Sequence, residues 1–430
     1  MKKKTPILIV LLLITVFTAA CSKDSSDPRN SSADAGDNKN PVTIEFAAGK
    51  DASGELEKSI ERFNRSHDDI QIKYVEMPAV PNEQITRYST WFNSKSDTPD
   101  LLMIDVTWPA MFASAGWIEP IDEYVDQDYL SRFWPAATDV AKVNGKLYGI
   151  QGYMDVGVLF YRKDLLDKYG LPVPQTWDEL AKTAQLILQK ENNPNLTGFV
   201  FQGAKIEGAT INWLEHLWGA GGDIYDGDAI KVDTEQGIKA LQRMSDFIVK
   251  DKVSPLSVST SNPADNNIVF SGGNAIFMRN WPASFAQLKG TAVEGKVGIA
   301  PIPHDVGGES HASTGGWVYA VNSNSKHKKE AVEALKFFLS DEEQKSMAIH
   351  ASKIPSVKSV FEDPATRQAQ PILETLQPIL ETAKSRPVLR NYETFSRSVQ
   401  TQVNLVLSGQ KDAATGLKDA QKELDEKLKS

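Results

Sequence analysis

Residues 42–77 read VTIEFAAGKDASGELEKSIERFNRSHDDIQIKYVEM. Val42 to Ala48 alternates and is rich in β-formers, so it predicts a strand. Gly54 to Asn64 places Leu56, Ile60 and Phe63 at helical spacing. Ile70 to Met77 returns to strand character. Further on, Asp100 to Val106 contains LLMIDV, a run suited to a buried parallel strand. Strand–helix–strand order of this kind predicts βαβ units and an α/β fold. Such sheets bind ligands beyond the carboxyl ends of their strands, and Asp105 stands at one such end.

The same grammar continues outward. Val143-Asn144-Gly145-Lys146-Leu147 carries an Asn-Gly turn between β-type residues, a hairpin signal. Leu165 to Gly170 ends a short helix at glycine; Pro172 and Pro174 follow as breakers. Thr176 caps the next helix, with Glu179 at the capping-box position. Ile211 to Ala220 reads as a helix stopped by Gly221-Gly222. Lys328 to Leu339 is amphipathic, with Val332, Leu335, Phe338 and Leu339 on one face. Ala413 to Lys429 predicts a charged terminal helix. A seven-residue repeat, Gln370-Pro-Ile-Leu-Glu-Thr-Leu then Gln377-Pro-Ile-Leu-Glu-Thr-Ala, is too short for a coiled coil and reads as a local duplication in a surface helix.

Composition bounds the function. The chain has 430 residues, 41% apolar and 24% charged, with a net charge of -9. That excludes collagen-like, wholly disordered and polytopic membrane classes. The length predicts two or three lobes, each able to bury a core. An acidic balance disfavours nucleic acid, which rewards clustered Lys and Arg. The single cysteine, Cys21, excludes a disulfide framework and any Cys-rich metal site.

The N-terminal segment sets the compartment. Lys2, Lys3 and Lys4 precede an apolar stretch from Pro6 to Ala20, shorter than the roughly 20 residues that cross a bilayer. This predicts a secretory signal over residues 1–20. Cys21 directly after Thr18-Ala19-Ala20 resembles the lipobox of bacterial lipoproteins, which implies lipidation at Cys21 and anchoring to the membrane. A plain secretory signal with an incidental cysteine is the alternative. The stretch SKDSSDPRNSSADAGDNKNP (22–41) has no apolar residue larger than alanine apart from proline. It predicts a disordered tether, so residues 21–41 form the lipidated cysteine and its leash.

Catalytic signatures are absent. There is no His-Glu-x-x-His and no Gly-x-Ser-x-Gly. His304 and His311 fall in a loop-like stretch and read as solvated histidines. Gly290-Thr-Ala-Val-Glu-Gly295-Lys296-Val297 approaches a P-loop, but Val297 lacks the hydroxyl that magnesium needs. It reads as a turn leading into a strand over Lys296 to Ala300. No cofactor and no metal are expected. Paired carboxylates for glycoside chemistry stay open, since their separation in space is not readable from spacing.

Tryptophan beside turns and carboxylates is the positive signal. Trp108 follows Asp105. Trp281 lies between Asn280 and Pro282, and Trp317 follows Gly315-Gly316. Tyr153 and Asp155 are close together. A flat ring offers an apolar platform to the C–H face of a sugar, and a carboxylate accepts bonds from its hydroxyls, each worth about 1.5–3 kcal/mol. Trp134, Trp177, Trp213 and Trp218 are expected in the core. Trp281 and Trp317 are expected exposed to a cleft, in breaker-rich loops.

From Val42 onward the chain resembles family 1 extracellular solute-binding proteins of ABC sugar importers, in particular the trehalose/maltose-binding branch. The resemblance rests on DVTWPAMFASAGWIEPID (105–122), NGKLYGIQGYMDVGVLFYRKDLLDKYGLPVPQTWDEL (144–180) and GFVFQGAKIEGATINWLEHLWGAGG (198–222). It continues through GNAIFMRNWP (273–282), KVGIAPIP (296–303), GGWVYAVNSNSKHKKEAVEALKFF (315–338), SRPVLRNYETFS (385–396) and GLKDAQKELDEKL (416–428). It implies a two-lobe, periplasmic-binding-protein-like α/β fold with a hinge of three crossings and a ligand cleft between the lobes. The crossings are implied near Tyr153 to Val158, near Thr314 to Trp317 and between Pro364 and Pro378. The N-terminal lobe would comprise 42–154 plus 315–370, and the C-terminal lobe 155–314 plus 371–430.

Carried over motif by motif, the implied ligand contacts are Asp105 at a strand end, the hinge-proximal Tyr153 and Asp155, the stacking Trp281 and Trp317, a backbone contact at Gly316, and Arg386 in its Arg-Pro motif. Glu207, and Asp51 in the first strand-to-helix loop, are further candidates, with Glu55 behind Asp51. The family's late aromatic has no counterpart at Ser396 to Val399, which favours a disaccharide over a longer oligosaccharide. The implied function is a non-enzymatic, monomeric, extracytoplasmic receptor. It binds a disaccharide such as trehalose or maltose and delivers it to the permease subunits of an ABC importer, with no nucleic acid. The alternatives are a binding protein for a longer oligosaccharide or a non-sugar solute, and a secreted carbohydrate-active enzyme.

Overall fold

The computed structural model describes residues 41–428 apart from Asp228 and Arg390. The signal segment, Cys21 and the tether to Asn40 lie outside the described residues.

The opening stretch folds as its pattern predicts. Strand β1 (Val42–Gly49) leads into helix α1 (Glu55–Ser66), which buries Leu56, Ile60 and Phe63, and strand β2 (Ile70–Met77) returns parallel to β1. Helix α2 (Pro81–Asn93) precedes β3 (Leu101–Asp105), whose five residues are all buried. The LLMIDV run is parallel to β1 on one side, as expected, but antiparallel to a late strand on the other. The sheet is therefore mixed, because the chain leaves this lobe and re-enters it from the opposite direction.

The departure runs through β4 (Ile150–Val156) and β5 (Val158–Arg162), separated by Gly157 alone. Strand β4 belongs to the first sheet and β5 to the second. A Cβ at Gly157 would lie 2.2 Å from Glu215 Oε1 and 2.4 Å from Arg279 Nη2, so no larger residue fits where the chain crosses. The second sheet gains β6 (Thr197–Val200), followed by helix α3 (Glu207–Gly219), then β7 (Ala275–Asn280) and β8 (Val297–Ala300), in the order β8-β5-β7-β6. The return is β9 (Thr314–Val321), and the first sheet reads β2-β1-β3-β9-β4.

Beyond β9 lie α4 (Asp341–Ala351), α5 (Ile372–Thr382), α6 (Tyr392–Leu407) and α7 (Ala413–Lys427). The QPILET duplication folds into α5 and its lead-in; Leu373, Leu376 and Ile379 are buried, and Pro378 is accommodated inside the helix.

Two separate cores result. Phe46, Leu102, Ile104 and Phe338 belong to one, packed on the first sheet. Phe160, Phe199, Trp213 and Leu417 belong to the other, packed on the second. The molecule is thus a two-lobed α/β protein. The Asn144-Gly145 hairpin forms, with both residues at positive φ. The Thr176–Glu179 capping box and the Gly170 helix stop also form. The P-loop-like stretch is a series of turns before β8, with Lys296 Nζ donating to the Ala292 carbonyl. No helix among the described residues is long and apolar enough to cross a membrane.

Candidate functional site

The register of the first sheet assembles the site. Trp317 on β9 lies opposite Asp105 on β3 and opposite Tyr153 on β4. Directly opposed residues of antiparallel strands share a face, so Asp105, Trp317 and Tyr153 form one row across three strands. Asp155, two residues beyond Tyr153, joins the same face. Trp317 therefore sits within a strand and not in a loop as expected: the Gly-Gly pair before it is strand backbone. Gly316 has φ +114, and a Cβ there would lie 2.2 Å from Gln151 Nε2 and 2.3 Å from the Tyr153 carbonyl oxygen. The register slips beside it, between Trp317 and Val318. That slip turns Gln151 to the face opposite Tyr153, where its amide donates to the Gly315 carbonyl at 2.7 Å.

The second lobe supplies Trp281, at the carboxyl end of β7. Its ring lies against the hinge: a Cβ on Gly315 would be 2.8 Å from the indole and 3.4 Å from the Asp155 Cβ. The Arg279 guanidinium stacks on the indole at 4.3 Å from its centroid. Arg279 is held in turn by Glu215, at 2.8 Å from Nε and 2.5 Å from Nη2, both residues being fully buried. Trp281 and Trp317 are partly buried, whereas Trp177, Trp213 and Trp218 are core residues. Trp134, expected in the core, is only partly buried. It lines a cavity of about 260 Å³ beside the crossing strands, together with Gln151, Met154, Phe361 and Leu380.

Arg386 spans the lobes. Its Nη1 donates to Glu207 Oε1 at 2.9 Å and its Nη2 to Asp105 Oδ1 at 3.0 Å. Asp105 also accepts from the Thr107 hydroxyl at 2.7 Å. Glu207 opens α3 and accepts from the Tyr392 and Ser396 hydroxyls as well. The Asn82 side chain of α2 adds a second link across, accepting from the Glu207 backbone N–H at 3.3 Å.

Asp51 lies just before α1. Its Oδ2 accepts from the backbone N–H groups of Glu55 and Leu56, both at 3.0 Å, so it caps α1. Glu55 is buried and paired with Arg62 at 2.9 Å. Burial works against the Asp51 charge, but Lys353 and bonds from Ser53 and Leu56 outweigh it and hold the carboxyl below its ordinary range.

The electrostatics of the row are unusual. Burial pushes the Asp155 carboxyl up to about 7, against a bond from the Val156 N–H and the charges of Arg279 and Lys353. Burial and the neighbouring Asp155 push the Tyr153 phenol far above its ordinary value. Burial and the nearby Glu207 raise Glu393 to about 7. Acidic acceptors and flat rings converge from both lobes. The arrangement suits a neutral, hydroxyl-rich solute.

Sequence reasoning missed Lys353, Tyr392, Glu393 and the Arg279–Glu215 pair. The last was half visible, since Arg279 stands two residues before Trp281. Lys353 carries no local signal: SKIPSV around it has neither an acid nor an aromatic ring. His304 and His311 each bond a backbone carbonyl through Nδ1, and no described cluster of His, Cys, Asp or Glu could hold a metal.

Comparison with known proteins agrees with this architecture. A probable ABC transporter-binding protein of Deinococcus radiodurans is 31% identical over 89% of this chain and 93% of its own length. The maltose-bound structure of MalE3 from T. maritima superposes with a TM-score of 0.85 at 37% identity, covering 89% of this chain and 99% of that one. The GacH receptor of Streptomyces glaucescens, solved unliganded and with acarbose, gives a TM-score of 0.81 at 25% identity over 91% of this chain and 99% of its own. Residues 49–345 match the family of bacterial extracellular solute-binding proteins, and the chain belongs to that family.

Proposed function

We propose that this protein is an extracytoplasmic sugar receptor, anchored through lipidated Cys21, that binds a disaccharide such as maltose or trehalose between its lobes and delivers it to an ABC importer. The observation that carries this reading is the row Asp105–Trp317–Tyr153 with Asp155, set on one lobe and met by Trp281 from the other. Rings from both sides suit the two faces of a pyranose, and ionised carboxylates suit its hydroxyls. The maltose-bound relative supports the ligand class. The two sheets and the two cores support a hinge made of the β4–β5 crossing, the return into β9 and a third passage between Val360 and Ile372, which lie in different cores. Sugar selects the closed arrangement by hinge closure.

The test is the unfolding midpoint of the protein against maltose, trehalose, sucrose, maltotriose, glucose and glycerol phosphate. A disaccharide at a hundredfold its Kd should stabilise by about 2.7 kcal/mol. A shift with one disaccharide supports the reading; no shift with any carbohydrate overturns it.

The raised Asp155 carboxyl makes a second expectation. In the unliganded fold the neutral form is favoured, so its stabilisation is complete below the unfolded carboxylate value and is lost as pH rises to about 7. Sugar hydroxyls favour the ionised acceptor, so affinity should rise as pH climbs through about 7. Calorimetric titration on both sides of that pH checks it. Asp155→Asn should flatten the step, leaving only what Glu393 contributes; an unchanged step would remove Asp155 from the ligand contact.

A further inference from the structure

Lys353 is an unusual cation in this protein. It is 8% exposed, whereas the other ion-paired lysines among the described residues range from 27% to 76%. Its backbone is clamped. Ser352 ends α4 in the left-handed region at φ 51. On the other side of Lys353, the Ile354 carbonyl accepts from the Met154 N–H at 2.9 Å, fastening the segment to the edge of β4. The Lys353 N–H itself donates to the Met347 carbonyl. The side chain is thereby delivered onto the acidic–aromatic row: its Nζ lies 4.7 Å from the centroid of the Tyr153 ring. It also raises the acidity of both Asp51 and Asp155.

Its ammonium has a carboxylate neighbour but makes no hydrogen bond to the protein. The nearest carboxylate oxygen, Asp51 Oδ1, is 3.6 Å away, an ion-pair contact but too long for a hydrogen bond. Among the described residues Nζ makes no hydrogen bond. An ammonium carries three donors, and none of these is taken up by a protein acceptor, which leaves them open to a ligand. Asp51 shows the complementary deficit. Its Oδ2 is saturated by Ser53, Glu55 and Leu56, while Oδ1 receives only a 3.4 Å contact from the Ser53 N–H. A donor-rich cation and a half-used carboxylate oxygen thus face each other across a gap at the Tyr153 end of the row.

We propose that Lys353 and Asp51 together read a vicinal diol of the sugar, Lys353 Nζ donating to one hydroxyl oxygen and Asp51 Oδ1 accepting from the neighbouring hydroxyl, with the pyranose against Tyr153. This rests on the sugar-receptor reading and adds a specificity element to it. It also sets the ligand's charge. Lys353 is already balanced by Asp51, so the pair selects a neutral diol over a phosphorylated or carboxylated sugar.

The test is isothermal titration of the full chain with the disaccharide that shifts its unfolding midpoint and with that sugar's monodeoxy analogues, repeated on Lys353→Met. The methionine keeps the apolar stem and removes the donors. The wild-type protein should bind two analogues, deoxygenated at adjacent carbons, about tenfold or more weakly than the parent sugar. Lys353→Met should bind the parent about tenfold more weakly. It should also lose the discrimination against one of those two analogues while keeping the rest. A uniform loss for parent and all analogues would show that Lys353 only holds Asp51 and Tyr153 in place, and would overturn the proposal. Unchanged affinity in Lys353→Met overturns it too, with the receptor reading intact. Absence of any sugar binding by the wild-type chain overturns the receptor reading and the diol together. Should Lys353→Met not fold, the adjacent-carbon pattern on the wild-type chain decides alone, and its absence overturns the proposal.

Discussion

Glu215→Ala should destabilise the second lobe by about 3–5 kcal/mol. Glu215 and Arg279 are each 1% exposed, and their two hydrogen bonds hold the guanidinium in the core of that lobe. Arg279 also donates to Gln202 Oε1 at 3.1 Å, a neutral acceptor that does not replace the lost carboxylate. Glu215 further accepts from the Ser313 N–H at 3.0 Å, just before the chain re-enters the first sheet. Removing the carboxylate leaves a buried cation and an unpaired N–H at the hinge. Urea unfolding followed by tryptophan fluorescence and circular dichroism should show the second lobe melting first, with the first-lobe transition little moved. Removing both charges, as Glu215→Leu with Arg279→Met, should recover most of the loss, since replacing a whole buried pair by apolar groups is often close to neutral. A loss under about 1 kcal/mol in Glu215→Ala would mean that water reaches Arg279.

Trp281→Ala should weaken sugar binding by about 2 kcal/mol or more, about thirtyfold in Kd, while moving the unliganded unfolding midpoint much less. The indole is partly exposed and lies at the lobe junction, against Gly315 and under Arg279. It is the large ring that the second lobe brings to the row on the first. Truncation removes a ring at the lobe junction but little of either core, because the Arg279–Glu215 pair persists without it. Calorimetric titration beside thermal unfolding separates the two effects. An equal fall in affinity and intrinsic stability would make Trp281 a packing residue.

Much of this was legible before the fold. The spacing of Leu56, Ile60 and Phe63, the Asn144-Gly145 turn and the Thr176–Glu179 box depend on neighbours within a few residues, and local physics carries them. The sequence resemblance likewise brought Asp105, Tyr153, Asp155, Trp281, Gly316, Trp317, Arg386 and Glu207 to notice. What local reading got wrong was the setting. LLMIDV reads as a parallel strand because burial on both faces looks alike in a mixed sheet. Gly315-Gly316-Trp317 reads as a loop because glycine pairs usually break strands, whereas here the pair allows Trp281 to approach and the register to slip.

Composition, patterning and turn chemistry determined that this is an acidic α/β protein with tryptophans set beside turns and carboxylates, since those properties are sums over the chain or over a few adjacent residues. Tertiary structure alone decided that Arg386 joins Asp105 to Glu207 and that Lys353 lies on Tyr153. Each of these contacts joins residues 179 to 281 positions apart in the chain. Charge and burial act through space, so only the folded chain sets which carboxylate meets which cation.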